Sequence, residues 1–284
     1  MDQETLAGKL AELPLGPVRY FDSTGSTNLE AAEWAEAGGP DLSLVVADEQ
    51  TAGRGRMGRK WFTPPGAALA FSLILRPEGW LSLEAEPPDK SATAVMRLTA
   101  LGALAVCEGL RAYAEARALQ VASQIKWPND VIVNGRKLAG VLTEASWEGA
   151  RLSFAILGTG INVAPASLPP AEGLTFPATC FEGVLGMPVD RWDLLQRVLA
   201  ALLDWLPEMA SAEFMEAWGS RLAYKGEWVQ VRSTDPAGAA GIPLEGQVLG
   251  LNADGSLRLR TRSGKVMAIH SGEVHLRPVD RLEK

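Results

Sequence analysis

The chain has 284 residues, 47% of them hydrophobic and 21% charged, with a formal net charge of −7 and a pI near 5.1. That length allows one large domain, or a large one with a small appendage, with a core that needs no covalent staples. The acidic balance argues against a protein that lives on phosphate backbones, which would carry a broad basic face.

In chain order, Met1 to Leu13 sets Asp2, Gln3, Glu4 and Glu12 against Lys9 and has no apolar stretch, so it does not read as a signal peptide. Val18 to Asp22 reads as a strand and Ser23 to Asn28 as a polar turn. Thr27 with Glu30 fits an N-cap and capping box for a helix that Gly38-Gly39 ends. Leu42 to Ala47 and Ala67 to Leu75 read as buried strands. The second is the longest apolar run, well short of the roughly 18–20 residues that span a bilayer. Gly79 to Asp89 reads as a proline-rich loop, and Ala92 to Ala118 has the spacing of the main buried helix.

Val121 to Lys126 reads as a strand, and Val131 to Val133 and Lys137 to Thr143 flank Asn134-Gly135, a strong hairpin signal. A two-residue turn there sets Val133 opposite Arg136 and Ile132 opposite Lys137. Alternation then aims Asp130, Ile132 and Lys137 at one face, provided the register does not slip. Arg151 to Leu157 is the next predicted strand, ending in Gly158-Thr159-Gly160-Ile161-Asn162, whose glycines permit close approach to a ligand. Pro165 to Gly173 reads as loop, and Arg191 to Leu206 and Ala212 to Leu222 as helices. From Gly226 the texture changes. Glu227 to Val231, Leu244 to Leu249, Ser256 to Leu259 and Val266 to Ile269 are short alternating strands, the pattern of a small SH3-like β-barrel. The expected class is α+β: a mixed-sheet domain packed with helices over 1–224 and the barrel over 225–284.

The densest chemistry lies in Gly53-Arg54-Gly55-Arg56-Met57-Gly58-Arg59-Lys60-Trp61. Glycine frees the backbone, and arginine offers planar donor forks that match carboxylate and phosphate oxygens. Such a run suits either an Arg/Gly nucleic-acid segment or a loop for a small anionic ligand. No second basic cluster is seen, which favours the small ligand. Like charges in succession predict that the loop is mobile and exposed when empty, and that anions order it. Lys126-Trp127-Pro128-Asn129-Asp130 reads singly as a surface lysine before an Asx turn. The histidines, His270 and His275, both lie in the C-terminal module, so neither a histidine triad nor a histidine–zinc site is expected. Cys107 and Cys180 stand in apolar surroundings without paired spacing. Gly158-x-Gly160 is too short for a dinucleotide fingerprint, and no P-loop occurs.

Together, in order, the blocks Ser26-Thr27-Asn28, Gln50 to Trp61, Lys126 to Asp130, Arg136 to Leu142 and Gly158 to Asn162 resemble the biotin protein ligase family. Met57 departs from the family, which often has another arginine there. The resemblance implies the biotin ligase fold, similar to class II aminoacyl-tRNA synthetases. It implies two half-reactions: biotin and ATP give biotinyl-5′-AMP and pyrophosphate, then the acyl group passes to a lysine of biotin carboxyl carrier protein. It implies Arg56 and Lys137 on the biotin carboxylate and α-phosphate, with Arg54, Arg59 and Lys126 neutralising phosphates. Ser26, Thr27, Asn28, Gln50, Gly53, Arg54, Gly55, Gly140, Leu142 and Gly158 would surround biotin, and Trp61, Asn129 and Asn162 would face the adenylate. Asp130 would serve the incoming amine. Mg²⁺ is expected to ride on ATP, with no protein-held metal. About twenty-five residues precede Ser26, which fits a form without a DNA-binding domain. A cytoplasmic protein is expected, with no membrane or DNA partner, and homodimerisation is left open. The rival readings are a lipoate-type ligase and an Arg/Gly nucleic-acid-binding module.

Overall fold

A computed structural model describes residues 2–77, 88–149, 151–170, 176–233, 244–270 and 274–278. The chain begins with a helix that the sequence reading passes over, α1 (Gln3–Lys9), whose N-cap Asp2 accepts from the Thr5 amide at 2.8 Å. Strand β1 (Val18–Thr24), helix α2 (Thr27–Glu36) and β2 (Leu44–Gln50) form a crossover unit, with β1 and β2 parallel and Thr24 opposite Gln50. The expected capping box does not form. The N-cap is Ser26, without a side-chain cap bond. Glu30 instead accepts from the Thr24 hydroxyl at 2.6 Å, and Thr27 turns toward Gln50. Tertiary partners bind these groups more firmly than the local motif does.

Strand β3 (Ala68–Leu75) is buried at all eight positions. Both of its faces are covered, which is why it reads as a continuous apolar run rather than an alternating one. Leu69, Phe71, Leu73 and Leu75 join the main core, while Ile74 packs with Ala31 and Ala35 of α2. Helix α3 (Pro88–Glu115) follows; of the expected Gly79–Asp89 loop, residues 79–87 lie outside the described residues, and Pro88 and Asp89 already belong to the helix. Its stretch Thr93–Glu115 is long and apolar enough to cross a membrane by length and composition, against the sequence expectation. However, 78% of its most apolar window is buried, and it packs against the sheet and helix α5 (Arg191–Trp205).

Strands β4 (Ser123–Lys126), β5 (Asp130–Val133), β6 (Arg136–Glu148) and β7 (Arg151–Asn162) complete a sheet of order β1-β2-β3-β7-β6-β5-β4. Every pairing after the first is antiparallel. The hairpin turns on Asn134 (φ 51°) and Gly135 (φ 70°), as Asn-Gly predicts. Val133 faces Arg136 and Ile132 faces Lys137; a bulge then shifts the register, so that Asp130 pairs with Gly140. Ile132 is buried in the core. Strand β7 runs past its predicted end: Gly158 to Ile161 stays in the ladder with both β3 and β6, and Asn162 pairs with β3. After the 3-10 turn Pro165–Ser167 come α4 (Phe181–Leu185), α5 and α6 (Ala212–Ser220); residues 171–175, part of the expected loop, lie outside the described residues.

The C-terminal strands β8 (Trp228–Ser233), β9 (Leu244–Leu251), β10 (Leu257–Arg260), β11 (Val266–Ile269) and β12 (Val274–Pro278) form an antiparallel sheet of order β11-β10-β9-β8-β12, in keeping with an SH3-like domain. Alternation on β10 buries Leu257 and Leu259 and exposes Arg258 and Arg260. With exposed Arg262 and Lys265 these make a second basic cluster, which the sequence reading overlooked. The β9–β10 turn docks on the larger sheet's helices and loops. The Trp127 indole N–H donates to the Gly255 carbonyl at 3.0 Å, and Arg97 donates to the carbonyls of Met209 and Ala253 at 3.0 and 3.1 Å.

Candidate active site

The site begins with three places where side chains are missing. Gly158 lies opposite Ser72 and Leu142, and Gly160 opposite Ala70 and Gly140. A Cβ on Gly158 would collide with the Asn28 carboxamide, and one on Gly160 with the Trp61 indole. A Cβ on Gly140 would press within 3.2 Å of Lys137 Nζ. These glycines thus hollow the middle of the sheet and let Asn28, Trp61 and Lys137 lie against bare backbone.

One end of the hollow is neutral and rich in hydrogen bonds. The Thr27 amide and hydroxyl donate to Gln50 Oε1 at 2.9 and 3.1 Å, and Gln50 Nε2 donates to Thr63 Oγ1 at 3.0 Å. Ser26, Thr27 and Asn28 are all buried. The other end is charged. Asp130 meets Lys137 Nζ at 2.5 Å and Lys126 Nζ at 3.5 Å. Lys137 also lies 5.3 Å from the centre of the Trp61 ring. Arg56 donates to Asn129 Oδ1 at 3.3 Å, and Asn129 in turn donates to the Val141 carbonyl at 2.9 Å.

Burial and charge compete here. Burial pushes the Asp130 carboxyl up, but Lys137 and Lys126 outweigh it and hold the group below its ordinary range. Burial pulls the Lys126 ammonium down, with Asp130 opposing and Lys137 adding to the shift. The Arg56 guanidinium is pulled down by burial too, against Asp130. Lys126 is therefore not the surface lysine that its position suggests; its side chain is only 12% exposed.

The glycine-arginine loop is folded over this hollow rather than splayed. The Trp61 amide donates to the Gly53 carbonyl at 2.8 Å and the Gly55 amide to the Arg59 carbonyl at 2.7 Å, around a 3-10 turn at Arg56–Gly58 with Met57 at φ 60°. Arg54 is met by Glu144 at 2.9 Å. The expectation of uncompensated like charges omitted this partner, because Glu144 lies ninety residues away in the chain.

The hollow brings together Ser26, Thr27, Asn28, Gln50, Arg54, Gly55, Arg56, Arg59, Trp61, Lys126, Asn129, Asp130, Lys137, Gly140, Leu142 and Gly158. Gly53 and Asn162 are not on its wall. Asn162 gives its amide to the Thr179 carbonyl at 3.1 Å. Gly53 has its backbone against Trp61. Met57, Lys60, Trp127, Pro128, Val141, Thr159 and Gly160 also line the wall. Ser72 and Glu144, which the sequence reading did not select, hold Asn28 from either side. Strand alternation offered a signal for Glu144, two residues beyond Leu142 on the same face of β6.

A family model for the biotin/lipoate A/B protein ligase family matches residues 20–162. The chain is 36% identical over 249 residues to a biotin–[acetyl-CoA-carboxylase] ligase of Paracoccus denitrificans, covering 85% of this chain and 93% of that protein. It is 34% identical over 262 residues to the bifunctional ligase/repressor BirA of Bacillus subtilis, covering 90% of this chain and 73% of that one. Among solved structures it resembles the biotin protein ligase of Aquifex aeolicus in complex with biotin and ATP, with a TM-score of 0.73 and 30% identity, over 92% of this chain and 99% of that one.

Proposed function

The chain belongs to the biotin/lipoate A/B protein ligase family, and on that premise we propose that it is an ATP-dependent biotin protein ligase that activates biotin as biotinyl-5′-AMP and passes it to a carrier-protein lysine. The observation that carries this reading is the pairing, in one hollow, of a neutral hydrogen-bonding end with a cluster of three cationic side chains around one carboxylate. A biotin head and tail suit the first, and a carboxylate beside an α-phosphate suits the second. The Paracoccus denitrificans ligase and the Aquifex aeolicus structure reported above carry biotin in their names, which favours biotin over lipoate. Biotin-dependent ATP–pyrophosphate exchange, run beside lipoate as the competing acid, is the deciding experiment.

In the first half-reaction the biotin carboxylate oxygen bonds to the α-phosphorus and the bond to pyrophosphate breaks. No proton moves, so the absence of a histidine from the hollow's wall is no obstacle. The barrier is the meeting of two anions, and the protein lowers it by positioning and by fixed positive charge. Lys137 and Arg56 face that meeting point, with Lys126 and Arg59 behind them. Arg54 lines the hollow but is paired with Glu144, so we assign it to holding the loop rather than to the phosphates. Mg²⁺ would enter on the nucleotide's oxygens: Asp130 is the only acidic side chain on the described wall, and both its oxygens are taken by lysines.

In the second half-reaction the acceptor amine attacks the acyl carbon, AMP leaves, and the amine's proton must go elsewhere. Asp130 is held ionised, so it acts by orienting the amine and balancing charge more than as a strong base. Asp130→Asn is therefore expected to slow transfer from preformed adenylate more than adenylate formation. Equal losses in both steps, measured by single-turnover assays, would instead make Asp130 a binding or structural group.

The depressed Lys126 ammonium gives a pH dependence. As pH rises, Lys126 loses its charge earlier than a free lysine, whose pKa is about 10.4. kcat/KM for activation should then fall on the alkaline side below that range, and Lys126→Arg should move the fall upward. An alkaline limb at the same pH in both proteins would remove Lys126 from this role. We place the domain division at Tyr224, between the two sheets, the carboxyl carrier protein of acetyl-CoA carboxylase as acceptor, and the cytoplasm as the site of action.

A further inference from the structure

A line of hydrogen bonds runs along the neutral end of the hollow and leaves it at one carboxylate. Ser72 Oγ lies 2.8 Å from Thr27 Oγ1 and 2.7 Å from Asn28 Oδ1, with one proton to donate between them. Asn28 Nδ2 donates to Glu144 Oε2 at 2.8 Å, and the other Glu144 oxygen takes Arg54 at 2.9 Å. A carboxylate only accepts, so it fixes the N–H end of Asn28 toward itself, with the Leu142 carbonyl, a longer 3.4 Å away, accepting from the same nitrogen. The carboxamide oxygen must then face Ser72 and the bare backbone of Gly158.

We propose that Glu144 is a positioning residue for biotin capture. It sets the orientation of Asn28 at the biotin-head end and, through Arg54, ties the glycine-arginine loop to that same carboxamide. The inference rests on the biotin-ligase reading of the pocket. The two arms differ in weight. Arg54 and Glu144 are 44% and 34% exposed, so that pair alone is worth at most about fivefold. Asn28 is 5% exposed, and without Glu144 its amide keeps only the longer bond to the Leu142 carbonyl at 3.4 Å; losing the charged acceptor costs about tenfold or more.

The test measures biotin KM and kcat by pyrophosphate exchange, and trypsin cleavage of the unliganded loop with fragment masses, in the full chain. Glu144→Ala should raise the biotin KM about tenfold or more and leave kcat within about threefold, because the residue touches neither reacting atom. It should also speed cleavage after Arg54 and Arg56. Arg54→Ala should raise KM by no more than about fivefold. The double variant should be no worse than Glu144→Ala, since both cut one link. Glu144→Gln, with one acceptor oxygen left, should fall between. A biotin KM within about twofold of wild type in folded Glu144→Ala, or a fall in kcat with KM unchanged, would overturn the proposal. Should Glu144→Ala not fold, Glu144→Gln is judged by the same KM and kcat criteria. Wild-type protein without biotin-dependent exchange would sink the ligase reading itself, and the link between Glu144 and the loop then stands or falls on the trypsin rates.

Discussion

Lys137→Ala is expected to slow adenylate formation by about 10²–10³ while the protein stays folded. Lys137 sits at the hairpin's bulge, where its ammonium reaches Asp130 on one side and the face of Trp61 on the other. It is thus held in place before any substrate arrives, and charge developing on the phosphoryl oxygens meets a donor that needs no rearrangement. Its loss has a second effect. Asp130 would be left buried with only the more distant Lys126, 3.5 Å away, and its carboxyl pKa would rise. Lys137→Arg separates the two effects, because it keeps the charge on Asp130 while changing the geometry at the phosphate. The measurement is single-turnover formation of biotinyl-5′-AMP, with circular dichroism to confirm folding. A near wild-type rate in folded Lys137→Ala would sink the assignment. A full loss in Lys137→Ala with full recovery in Lys137→Arg would show that charge, not lysine geometry, is what the step needs.

The second large effect is expected from Gly158→Ala. The change is one methyl group, yet it lands on the carboxamide of Asn28. Asn28 cannot simply step aside, because Ser72 and Glu144 hold its two ends and the neighbouring Thr27 is bonded to Gln50. Displacing it leaves buried polar groups without partners, at about 1–3 kcal/mol each. The biotin KM should rise by about tenfold to a hundredfold, with a lowered melting temperature in the same variant. Gly149→Ala is the matched control, since a Cβ there meets nothing within 4 Å. That control strains a positive φ of 63° without touching the hollow. Biotin KM unchanged in Gly158→Ala would mean that the hollow tolerates a filled floor, and the biotin-head assignment would fail.

Local pattern carried the elements that are set by local chemistry. Asn134-Gly135 announced its hairpin, and the pairing of Ile132 with Lys137 followed from it. Asp130 and Lys137 do meet, but across a bulge that alternation alone does not foresee. The core strand Ala68–Leu75 was legible as an apolar run. What stayed hidden was tertiary. Glycines at 158 and 160 looked like a strand end, whereas the ladder continues through them because β3 and β6 supply partners on both sides. Thr27 and Glu30 looked like a capping box because their competing partners, Gln50 and Thr24, come together only after the strands pair. The site's charged blocks were visible as motifs, but the two groups that hold Asn28 were not: Ser72 sits inside an apolar run, and Glu144 was marked only by its alternation with Leu142 along β6.

The bond from the Trp127 indole to the Gly255 carbonyl spans 128 positions of the chain. Trp127 stands between Lys126 and Asp130 in sequence and is 1% exposed, so this buried donor has no water to turn to. During synthesis its acceptor emerges long after the surrounding strands have left the ribosome. The turn that presents the two charged groups therefore receives its last support late, when β9 and β10 close over it. Until then the turn from Lys126 to Asp130 lacks that bond, and activity should rise as a late event in biogenesis rather than grow with chain length.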